Sequence, residues 1–125
     1  MEVQVTTTED NQRVKLDGTV TIQVDTDVTA TSFQYGLAFD LTRPPSPPLA
    51  FIPQGGNYLK TPGVNANTQD LYQWHPNFTL VNVPGPAGNY TYRVLVSESV
   101  LISRVGIDSI SARNLGLTAT VFPPA

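Results

Sequence analysis

The chain has 125 residues, ten acidic against seven basic side chains, a formal net charge of −3 and no cysteine. That length gives one domain whose core suffices for folding without covalent staples, and the lack of cysteine excludes disulfides, thiolate metal sites and cysteine nucleophiles. The basic residues (Arg13, Lys15, Arg43, Lys60, Arg93, Arg104 and Arg113) are scattered, which argues against a nucleic-acid partner. No apolar run approaches the roughly 20 residues of a bilayer span, so no membrane insertion is expected.

Along the chain, side chains alternate with period two, and no helical period is sustained. Val3, Val5 and Thr7 share one face of a short N-terminal segment. Val20, Ile22 and Val24 share a face in the next run, and Asp17-Gly18 is a turn signal beside it. The strongest signal is Phe33, Tyr35, Leu37, Phe39 and Leu41, interleaved with small or polar residues, which predicts a strand lying over the core.

Residues 43–67 break the pattern. Pro44, Pro45, Pro47 and Pro48 supply no ladder donors. Pro53-Gln54-Gly55-Gly56 and Pro62-Gly63 follow, so the segment is expected to be a semi-rigid surface loop holding one short strand at 49–52. Phe78 and Leu80, then Tyr90, Tyr92, Val94 and Val96, then Leu115, Leu117, Ala119 and Val121 predict three further strands. The expected fold is all-β: a two-sheet antiparallel sandwich, jelly-roll-like, over 11–125, with an extended N-terminal arm at 1–10.

Candidate chemistry is thin. His75 is the sole histidine, so a Ser-His-Asp triad would depend on it entirely. Asp17, Asp25 and Asp27 offer oxygen ligands but lack the spacing of a calcium loop, and no cofactor or metal is called for. Tyr72 and Trp74 form a candidate binding patch on which sugars would stack, whereas Tyr90 and Tyr92 suit a core. Asn77-Phe78-Thr79 and Asn89-Tyr90-Thr91 match the glycosylation sequon, a short and common pattern.

The segment Pro84-Gly85-Pro86-Ala87-Gly88-Asn89-Tyr90-Thr91-Tyr92-Arg93-Val94, with Ile110 to Val121 after it, resembles small jelly-roll modules of bacterial spore surfaces, collagen-like proteins and phage fibres. The likeness covers roughly the last third of the chain. It implies a non-catalytic structural subunit that trimerises or polymerises in an extracellular surface structure. The chain departs from the collagen-linked members by having no Gly-X-Y tract, and from the disulfide-linked appendage subunits by having no cysteine. The start, Met1-Glu2-Val3-Gln4-Val5, has no classical signal-peptide pattern.

The leading expectation is therefore a self-assembling fibre or appendage subunit whose partners are copies of itself. The arm residues Val3, Val5 and Thr7 would join a neighbour's sheet. The alternatives are a carbohydrate- or receptor-binding module, with glycans as partners, and a small hydrolase centred on His75.

Overall fold

A computed structural model describes residues 1–60, 71–99 and 101–125, and among these every regular element is a strand. The strands are β1 (Glu2–Thr7), β2 (Arg13–Thr26), β3 (Ser32–Thr42), β4 (Ala50–Leu59), β5 (Leu71–Trp74), β6 (Asn77–Asn82), β7 (Gly88–Glu98) and β8 (Ile107–Phe122). They make two antiparallel sheets packed face to face, and the sandwich expectation holds. The first sheet has the order β1-β7-β3-β4. In the second, β2 pairs with β8 on one side and with β6 and then β5 on the other.

Alternation explains this layering. The even-numbered residues of β2 from Val14 to Thr26 are all buried, while its odd-numbered residues face outward. Phe33, Tyr35, Leu37, Phe39 and Leu41 answer them from β3, each at most 3% exposed. Between the two sheets the Phe39 and Phe78 rings meet at 5.0 Å. Phe78 lies over Gly18, where a Cβ would collide with the ring. The Asp17-Gly18 pair is thus mid-strand, and glycine is there to admit an aromatic ring rather than to make a turn.

The N-terminal arm needs correction. Glu2 to Thr7 pair residue for residue with Arg93 to Gly88, so the segment is the edge strand of its own sheet. Val5 and Thr7 are buried, and the Thr7 hydroxyl accepts a 3.0 Å bond from the Gly88 N–H. The physical reason is proximity: β1 takes the edge of β7 opposite β3, along the half of β7 that β3 does not reach, and the two valines seal that end of the core.

The 43–67 loop is also corrected. Its middle is β4, a ten-residue strand in continuous register with β3, from Leu41↔Ala50 to Ser32↔Leu59. Pro53 is tolerated because β4 lies outermost in the sheet order. Gly55 faces Gly36 across the ladder, and Ile102, from the connection after β7, sits on the pair. A Cβ at Gly36 would come within 2.6 Å of Ile102 Cβ. Within the described part of that stretch, 43–49 and Lys60 remain irregular, with a cis Pro44-Pro45 bond. Residues 61–67 lie outside the described residues.

Candidate functional site

One flank of the sandwich is closed. There, β3, β4 and β5 contribute an aromatic cluster: Tyr72 lies 4.6 Å from Phe33, Trp74 meets Tyr35 edge-on at 5.1 Å, and Tyr58 stacks on Phe33 at 5.2 Å. The Gln54 side-chain amide donates to the Asn77 carbonyl at 2.6 Å, and an Arg43 N–H donates to Asn82 Oδ1 at 3.4 Å. Burial pushes the Tyr35 phenol well above its usual range, with the neighbouring Tyr58 phenol adding to the effect. Tyr92 is raised for the same reason, partly offset by Arg43, and its hydroxyl donates to Asn82 Oδ1 at 2.9 Å.

The two residues of the expected patch, Tyr72 and Trp74, both lie in this cluster. Both rings are half-buried and pack against the core aromatics. Their alternation along β5 turns them inward.

The remaining candidates occupy separate places. The Thr21 hydroxyl lies 3.1 Å from His75 Nδ1 on the exposed face of the second sheet. Asp17 accepts a hydrogen bond from Thr79 at 2.6 Å and pairs with Lys15 at 3.0 Å. Those contacts, Thr79 first, hold its carboxyl below the usual range. Asp27 is lowered likewise by the Thr29 N–H and hydroxyl, both at 2.8 Å. Asp25 accepts from the Ser109 hydroxyl. Among the described residues no group of three or more acids and histidines is brought together. We expect His75→Ala to change unfolding free energy by no more than about 0.5 kcal/mol, as for other exposed sites. Urea denaturation checks this, and a larger loss would give the ring a structural task.

The opposite flank carries the feature that stands out. There β1 and β8 form the outer strands of their sheets. The sixteen-residue β8 pairs with β2 along one edge, and no described strand pairs with its other edge. None of its residues is buried. Leu117 and Ala119 face the core but are only half-covered, and Leu115 and Val121 remain 52% and 36% exposed.

Proteins ordinarily blunt such edges with charge, proline, short length or bulges. The other outer strands follow that rule: β1 is short and carries Glu2, β4 contains Pro53, and His75-Pro76 separates β5 from β6. In β8 the last charge is Arg113, and Asn114 to Phe122 contains neither charge nor proline. The signal was legible as an uncharged alternating run. What it left unstated was that this run lies outermost.

No family model, curated protein or solved structure matches the chain.

Proposed function

We propose that this chain is a non-enzymatic structural subunit that assembles with copies of itself by adding strands at a sheet edge. The observation that carries the proposal is the regular, uncharged edge of β8 from Gly116 to Phe122, whose inward apolar residues lack full cover. A strand added there would pair an open row of N–H and C=O groups and cover Val121 and Leu115. Main-chain pairing needs no dedicated chemistry, which fits a molecule whose His, Asp and aromatic side chains are dispersed or packed. The setting we propose is an extracellular appendage or fibre, which is what the resemblance noted for the last third of the sequence implies. We place the assembly strand at β8 and not at β1, which already pairs with β7 and is short and carries Glu2.

Thr118 and Thr120 are exposed on the outer face of β8, so lysines there leave the core untouched. Like charges facing each other across a strand pair cost up to about 1 kcal/mol each, and 1.4 kcal/mol is a tenfold change in affinity. The double variant Thr118→Lys/Thr120→Lys should therefore weaken self-association roughly tenfold or more while retaining its thermal transition. Sedimentation velocity over a range of concentrations reads this. A wild-type chain that stays monomeric at all concentrations overturns the proposal.

A further inference from the structure

The β8 edge is self-complementary, and this decides how two copies would meet. Residues Gly116 to Phe122 pair with Thr19 to Arg13 of β2 without interruption. Before them the ladder shifts register between Thr19 and Thr21, and Asn114 sits at φ 49°. After them comes Pro123, which has no N–H to donate. The regular part of the edge is thus bounded at both ends, and Ala119 is its midpoint.

From this geometry we infer that two copies pair antiparallel through β8 about a two-fold axis at Ala119, an inference that rests on the assembly reading above. With the axis there, Leu117 stands opposite the partner copy's residue 121 and Val121 opposite its residue 117, with the two copies of Ala119 between them. All lie on the inward face. Val121, paired with Val14 on one side, gains an apolar neighbour on its open side. On the outward face each Thr118 meets a Thr120 of the other copy, a favourable cross-strand pair. Phe122, 41% exposed, comes to lie across from Gly116 of the other copy. An aromatic side chain covering an edge glycine is a recognised stabilising pair.

Neighbouring registers lose these matches. Moving the axis to Thr118 sets Val121 against Leu115 and Phe122 against Asn114, in the irregular part of the strand. Moving it to Thr120 brings Pro123 into the ladder. With no charge after Arg113, nothing on the paired stretch repels its own copy. The product is one continuous sheet with two β8 strands at its centre. This contact closes on itself, so it builds a two-fold dimer, and any longer polymer grows through a second surface.

Site-directed labels decide it, because the chain has no cysteine of its own. Val81 is 55% exposed on β6 and aligns with Lys15 and, through it, with Thr120. Five strand spacings of roughly 4.8 Å and a two-residue offset put the two copies of position 81 about 25 Å apart. Spin-labelled Val81→Cys should show that distance with an amplitude that grows with concentration. Under mild oxidation Ala119→Cys should cross-link to a dimer. Ser111→Cys should not, since about 3.3 Å per residue places its two copies roughly 50 Å apart. Association with another Val81 distance, or cross-linking at Ser111 but not at Ala119, overturns the two-fold register while leaving self-assembly standing. Absence of dipolar coupling and of cross-links at every concentration overturns both.

Discussion

Deleting Met1–Thr8 should abolish cooperative folding. The segment exchanges a six-residue ladder with β7, and beyond it the Met1 ammonium donates to the Val94 carbonyl at 2.7 Å while the Val94 N–H donates to the Met1 carbonyl at 2.8 Å. Each such bond contributes about 0.5–1.5 kcal/mol net. Val5, 7% exposed, adds about 1.5–3 kcal/mol of apolar burial. Truncation also uncovers the adjoining edge of β7 beside the buried Tyr92 and Val94. The Glu2–Arg93 ion pair at 3.1 Å is solvent-exposed and adds little. The loss, about 5 kcal/mol or more, is comparable to the 5–15 kcal/mol that holds an ordinary domain together. Thermal melts followed by circular dichroism and one-dimensional NMR check this. A sharp transition close to that of the full chain would show that β1 is dispensable and free to act as an arm.

Phe39→Ala should cost roughly 3–5 kcal/mol, the range for emptying a buried phenylalanine site. Phe39 is fully buried at the centre of β3, between Leu37 and Leu41, and its ring is the inter-sheet support of Phe78. Phe78 in turn occupies the space above Gly18, so the cavity borders a ring already tightly placed. Phe39→Leu, which keeps most of the volume, should lose substantially less. Equilibrium urea unfolding measures both variants, and a cost for Phe39→Ala below about 1 kcal/mol would contradict the central place of this ring. Because the Phe39 ring meets Phe78 of β6 across the sandwich and not the paired stretch of β8, folded Phe39→Leu protein should associate as wild type does.

The inside of the sandwich was readable from residue types alone. A strand's side chains alternate between faces, so burial of one face writes a period of two into the chain, and Val20-Ile22-Val24 and Phe33 to Leu41 record it. Even the length of β2, longer than its clearest run, follows once Val14 and Leu16 join the same face. Strands without a buried face left no such record. In β4, Pro53, Gly55 and Gly56 look like loop residues, and the segment is a strand because β3 offers it a complete ladder.

Partnership was the other matter beyond local pattern. Val3 and Val5 mark a strand, yet main-chain hydrogen bonds are the same for any partner, so only the folded chain shows that β7 takes them. Tyr72 and Trp74 are aromatic in either reading, and only the fold shows that β5 turns them toward Phe33 and Tyr35. The run after Arg113 is equally uncharged in the sequence and in the structure. By itself the sequence determined which side chains face the core, since hydrophobic alternation is a local property. Tertiary structure alone decided which strands stand outermost and which edge is left open, because pairing joins residues such as Val14 and Val121 that are distant along the chain.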